Sequence, residues 1–209
     1  MELSEDIKQL YQQAEQYDQA QDHYNAIKLY KRIIKDASAW VLPYAKLSLI
    51  YKYRQEWKPA LYYSKKTAAL DASNKEAWWN IGLSATALKK DKLAWNIWSK
   101  FGYEGPELHQ WRPASVRLSF QRQIEVMGLQ RISPCLGYIR SIPQPASGRR
   151  YGDLVLVDHV MRGYHSSGRY RLPIYDELGV LKCSHYRSFS CRLLHATEEN
   201  IQLLHRLCH

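Results

Sequence analysis

A spacing of 34 residues constrains this chain more than any other feature of its sequence. Ala26, Ala60 and Ala94 form the clearest column. Beside it run Ala14, Ser48 and Gly82; Tyr17, Tyr51 and Ala85; Tyr30, Ser64 and Trp98; and Ile33, Thr67 and Phe101. A period of this length means stacked copies of one supersecondary unit. Within a unit, Tyr44, Leu47, Ser48 and Tyr51 recur at three and four, which is one face of a helix. Ala60, Tyr63, Ser64 and Thr67 do the same for a partner helix, and the small members let the two axes approach closely. Each unit therefore reads as a helical hairpin. Ser4 before Glu5 and Asp6 marks a helix start, Ser73 with Glu76 reads as a capping box, Pro59 suits a first turn, and Gly102 suits a helix end.

The third unit carries Trp78-x-x-Ile81-Gly82, then Ala94, Trp98 and Phe101, after an Ala-Leu-Asp71-Ala-Ser-Asn linker. In these residues, and over about residues 5 to 103, the chain resembles the tetratricopeptide repeat (TPR) family. The resemblance implies three hairpins stacked at a constant rotation, with a concave binding groove lined by the first helix of each. Trp78 falls in the packing column, so Trp79, about 100 degrees round the helix, is expected to point into the groove. The same phase places Tyr11, Glu15, Leu49, Lys52, Tyr53 and Leu83 there. The alternative is that Trp79 and Leu83 are covered by a second domain.

Such a domain is announced by a change in composition. Residues 1–104 hold 14 Lys and 2 Arg, whereas 105–209 hold 1 Lys and 13 Arg, together with all four cysteines. This divides the chain into a helical repeat domain, 1–104, and a C-terminal domain, 105–209. In the latter, 115–120, 124–127, 136–140 and 153–157 read as strands, with 186–194 as one more. Ser166-Ser-Gly168 reads as a hairpin turn, and 197–207 as a terminal helix capped by Thr197. The expected fold class is α+β: an N-terminal TPR helical-hairpin array, then a β-rich antiparallel domain with a short C-terminal helix, docked on the last hairpin.

The stretch Ser147-Gly-Arg-Arg-Tyr-Gly-Asp-Leu-Val-Leu156, with Gly163-Tyr, Leu172-Pro-Ile-Tyr-Asp-Glu-Leu178 and Tyr186-Arg, resembles a domain of bacterial TPR proteins. Some members are immunity proteins of polymorphic toxin systems. This implies a protein partner, most concretely one cognate toxin that the chain binds and neutralises; the alternatives are a general TPR adaptor or a basic nucleic-acid-binding protein. Arg149, Arg150 and Tyr151 are candidate contacts, because guanidinium groups clamp carboxylates or phosphates bidentately. Against this, the arginines read as solvated, with Asp153 near enough to pair one of them.

The formal net charge of +10 makes an acidic partner plausible, whether protein or nucleic acid. Thirteen arginines with Tyr138, Tyr151, Tyr164, Tyr170, Tyr175 and Tyr186 would suit phosphate contact and stacking, although the arginines are scattered. Cys183, His185, Cys191 and His195 depart from zinc-knuckle spacing, so no metal is expected. No Gly-x-Ser-x-Gly elbow, P-loop or Gly-x-Gly-x-x-Gly occurs, and Asp158 beside His159 and His165 reads as a turn; neither an enzyme nor a cofactor is expected. No window approaches eighteen uninterrupted apolar residues and the N-terminus lacks the order of a secretory signal, so the expectation is a cytoplasmic protein with no membrane role.

Overall fold

The structure is a computed structural model that describes residues 3–103, 113–167, 170–190, 192, 194–195 and 197–207. Among the described residues six helices come first: α1 (Glu5–Gln19), α2 (His23–Asp36), α3 (Val41–Tyr53), α4 (Trp57–Leu70), α5 (Lys75–Ala87) and α6 (Asp91–Lys100). They pair as α1–α2, α3–α4 and α5–α6, and the hairpins pack through α2 on α3 and α4 on α5. The 34-residue columns keep their surroundings along the array. Ala26, Ala60 and Ala94 are all buried, and so are Ala14, Ser48 and Gly82. In the third hairpin Gly82 lies under the indole of Trp98, where even an added Cβ would meet ring carbons at 2.7 Å.

The turn inside each hairpin repeats as well. Gln21, Gln55 and Lys89, again 34 apart, adopt left-handed φ of 59°, 59° and 54°. The following amide closes back over the helix end each time: Asp22 N donates to Tyr17 O, Glu56 N to Tyr51 O and Lys90 N to Ala85 O, at 2.8 to 2.9 Å. These closures satisfy carbonyls that the helix leaves unpaired. The cap of α5 is Asn74, whose side chain accepts from Ala77 N, one residue later than the expected Ser73. The Ser73 hydroxyl donates instead to Asp71.

Five strands follow: β1 (Ala114–Phe120), β2 (Gln123–Ser133), β3 (Leu136–Ile139), β4 (Leu154–Ser167) and β5 (Tyr170–Lys182). They close into a barrel in sequence order. The expectation of a purely antiparallel sheet needs correction, because β1 and β5 pair in parallel through Ser115–Arg117 and Ile174–Asp176, and this pairing closes the barrel. Closure removes edges that an open five-stranded sheet would expose. The described part of 186–194 is not a strand, Gly168 of the expected turn lies outside the described residues, and β5 is a strand that sequence reading did not assign. The terminal helix α7 (Glu198–Leu207) begins as expected, with Asn200 N donating to the Thr197 hydroxyl.

Strand alternation explains how the two halves join. Val155 and Val157 point into the barrel with Val116, Leu118, Leu129 and Ile139. Their neighbours on β4, Leu156 and Asp158, face outward, where Leu156 joins Cys135 and Leu178 in one buried cluster with Ile81, Leu83, Ala85, Ile97 and Trp98 of α5 and α6. The apolar run 154–157 is thus buried on both faces. Gly179 (φ 147°) lets β5 come close to the α3–α4 turn, since a Cβ there would meet Gln55 Oε1 at 3.0 Å.

Candidate interaction surfaces

The barrel occupies the inner wall expected to be an open groove. On α3, Lys52 is fully enclosed, and its ammonium donates to both carboxylate oxygens of Asp158 on β4 at 3.4 and 3.3 Å. The Tyr53 hydroxyl donates to the same carboxylate at 3.1 Å, and the His159 amide and ring Nδ1 lie 2.8 and 3.0 Å from Asp158 Oδ1. Burial of Asp158 alone would raise its pKa. The hydrogen bonds from His159 and the charge of Lys52 outweigh that and hold the carboxyl far below the ordinary carboxylate range. Burial, with Asp158 beside it, pushes the Tyr53 hydroxyl up to about 12. A charged carboxylate surrounded by an ammonium, a hydroxyl and an imidazole can hold two domains in register.

Trp79 does not stand in an open groove either. Its indole packs edge-on against Trp98 and Phe101, with ring centroids 4.8 and 5.5 Å away, and meets the His159 ring of the barrel at 4.9 Å. Leu83 is buried in the shared core. For Trp79, Leu83 and Lys52 the open-groove assignment is therefore corrected: Trp79 and Leu83 follow the alternative of cover by the chain's own β-rich half, and Lys52 is enclosed with them. Trp78 is partly buried near the surface, where its Nε1 donates to Ala72 O and Lys100 lies over its ring.

The first hairpin keeps the remainder of that wall. Tyr11 packs on Trp40 at 4.6 Å and on Tyr30 at 5.7 Å, Glu15 pairs with Lys46 at 2.9 Å, and Leu49 is half-buried between this end and the barrel-covered part of α3. The second-domain candidates separate. Arg149 is committed to Glu177 at 2.8 Å. Asp153 pairs with neither arginine side chain; it is buried and accepts from the amides of Arg150 and Ser184. Arg150 is exposed and donates through Nη1 to Ser184 O. Tyr151 meets Tyr186 edge to face at 5.3 Å.

Two further surfaces escaped sequence reasoning. The first is the outer half of the β4–β5 ladder. Past Leu156 the β3 pairing ends, and β5 meets β1 only through Ile174–Asp176. Tyr164–Ser167 and Tyr170–Pro173 therefore pair only with each other among the described residues. This arm shows Met161, Tyr164 and Tyr170, the last 74% exposed, around a groove of about 810 Å³ completed by Pro113, Leu172 and Pro173. The signal was the alternation from Tyr170 to Leu178. Proline is unfavourable inside a sheet, yet the position of Pro173 opposite Tyr164 on a ladder edge is where a strand tolerates it.

The second is a basic, aromatic pocket at the opposite end of the same ladder, where Leu154 pairs with Lys182. Tyr138, Arg140, Lys182, His185 and Tyr186 line it. Its residues come from three separate stretches of sequence, 138–140, 152–154 and 182–186, so no local motif marks it. Among the described residues no group of three or more His, Cys, Asp or Glu side chains is placed to hold a metal ion; Cys183 and His185 are exposed, and Cys191 lies outside the described residues. No described helix is long and apolar enough to cross a membrane. No protein-family model and no curated protein matches this chain.

Proposed function

We propose that this chain is a non-enzymatic TPR-type protein-binding module, most concretely a cytoplasmic immunity protein that binds and neutralises a cognate bacterial toxin. The reading is supported first by the projecting β4–β5 arm. Exposed Met161, Tyr164 and Tyr170 sit on a strand pair with free edges, with the Arg171 guanidinium over the Tyr164 ring at 4.7 Å, and aromatic and apolar surface of this kind is what one protein offers another. The helical array acts as the platform that holds the barrel, with the arm directed outward. An acidic partner surface suits the net charge of +10. The sequence resemblance to immunity proteins supplies the toxin.

The test is co-expression with a toxin encoded beside this gene. Wild-type chain should restore growth and co-purify one-to-one with the toxin. Tyr164→Glu with Tyr170→Glu should abolish both and leave the melting temperature unchanged, since substitutions at exposed positions shift stability by only about 0.5 kcal/mol. Growth restored without a complex, or a complex indifferent to the double substitution, would refute occlusion through the arm. A general adaptor would form the complex and leave toxicity intact. A nucleic-acid binder would purify with a high 260-to-280 absorbance ratio that falls as salt rises.

A further inference from the structure

Resting on the protein-binding reading, we propose that the pocket formed by Tyr138, Arg140, Lys182, His185 and Tyr186 receives a carboxylate-bearing segment of the partner, at a second contact remote from the arm. Lys182 and the tip pair Ser167–Tyr170 close opposite ends of one ladder, about 40 Å of strand apart. The two contacts are therefore separate.

Charge identifies the occupant. Arg140, Lys182 and His185 line a depression of about 390 Å³, and Arg150 reaches its rim through Ser184. Asp153 is the carboxylate beside it, but both its oxygens are taken by the Ser184 and Arg150 amides at 2.7 and 2.8 Å, and it is buried. It does not turn toward the pocket cations.

Arg140 is also held in place before anything binds. Its guanidinium lies over Tyr138 at 5.4 Å and Tyr151 at 5.9 Å, and its Nε donates to Gln130 Oε1 at 2.7 Å. Nη1 and Nη2 have no acceptor among the described residues. A pinned guanidinium with its fork open is suited to a planar carboxylate, and little rotamer freedom remains to be lost on binding. The same stacking argues against a nucleobase. Tyr138 and Tyr151 present faces to Arg140, and Tyr151 also meets Tyr186 edge to face, so these rings are committed within the protein.

The experiment uses full-length chain and fluorescein-labelled hexaglutamate, read by anisotropy at low salt. Arg140→Gln should weaken binding about ten-fold or more. Arg122→Gln, an exposed arginine in the β1–β2 turn, should change it less than about two-fold. Exposed Cys183 lines the same pocket and gives a second readout in the unsubstituted chain. Saturating peptide should slow its alkylation by about three-fold or more. Equal losses from the two substitutions, an unaffected Arg140→Gln chain, or unprotected Cys183 would each overturn the proposal. So would a twelve-residue oligothymidylate that displaces the peptide and depends more strongly on Arg140. Peptide binding that persists in a chain unable to capture any toxin would sink the protein-binding reading and leave the pocket standing.

Discussion

Asp158 shows how one side chain sets the behaviour of the junction between the two halves. It is fully enclosed, carries its charge against Lys52, and also accepts from Tyr53 and His159. Burying two charges costs several kcal/mol, which their attraction offsets only when the remaining lone pairs are satisfied. Removing one partner should then be severe: Asp158→Asn is expected to lower stability by about 3 to 5 kcal/mol. The pH dependence follows from a native pKa that lies below the unfolded value of about 3.9. Stabilisation from the charge is complete above about pH 4 and is lost as pH falls from there through the native pKa. The stability gap between wild type and Asp158→Asn, from denaturant titrations, should stay constant between pH 7 and 5 and narrow below about pH 4. A gap that closes already between pH 7 and 5 would show that another group governs the junction. Asp158 was visible in the sequence only as a polar neighbour of His159, because its partner Lys52 lies 106 residues away in the chain.

At the scale of elements, the hairpin turns repeat more strictly than the side-chain columns. Gln21, Gln55 and Lys89 each hold a left-handed backbone that L-residues adopt at a cost of about 1 kcal/mol. Glycine carries no such cost, so Lys89→Gly, at an exposed position, should raise stability by up to about 1 kcal/mol in chemical denaturation. A loss would mean that the turn is held differently. The packing column makes the opposite prediction. Gly82→Ala sets a methyl against Trp98 and Ile97 at 2.7 to 2.9 Å and should cost about 1 to 3 kcal/mol, measured the same way. The six helices were legible because each repeats a 3.6-residue face inside a 34-residue frame. The strands were legible where polar and apolar residues alternate, as in β1. β4 was legible only over 154–157; its continuation to Ser167, and β5 altogether, were not, since Asp158 beside His159 and His165 reads as a turn and Pro173 interrupts the other run.

For the molecule as a whole, the inner wall of a helical array has been closed from within. The residues whose phase pointed to that wall do lie on it: Lys52, Tyr53, Trp79 and Leu83 all meet the barrel or the core shared with it. Sequence reasoning left the occupant open between a partner and the second domain, because Leu156, Asp158 and Leu178 declare themselves as a docking face only once the barrel is closed and its outward register fixed. On the proposed protein-binding reading, the β4–β5 arm, the Arg140 pocket and the Tyr11 end of the array are candidate contacts among the described residues. All of this depends on the barrel being anchored to α3 through Lys52 and Asp158. A double-mutant cycle with Lys52→Met and Asp158→Leu, by denaturant titration at pH 7, measures that anchor directly. The account predicts strong coupling, with the double variant more stable than the two separate losses add up to by about 2 kcal/mol or more. Additivity within about 0.5 kcal/mol would mean the two side chains do not meet, and would contradict it.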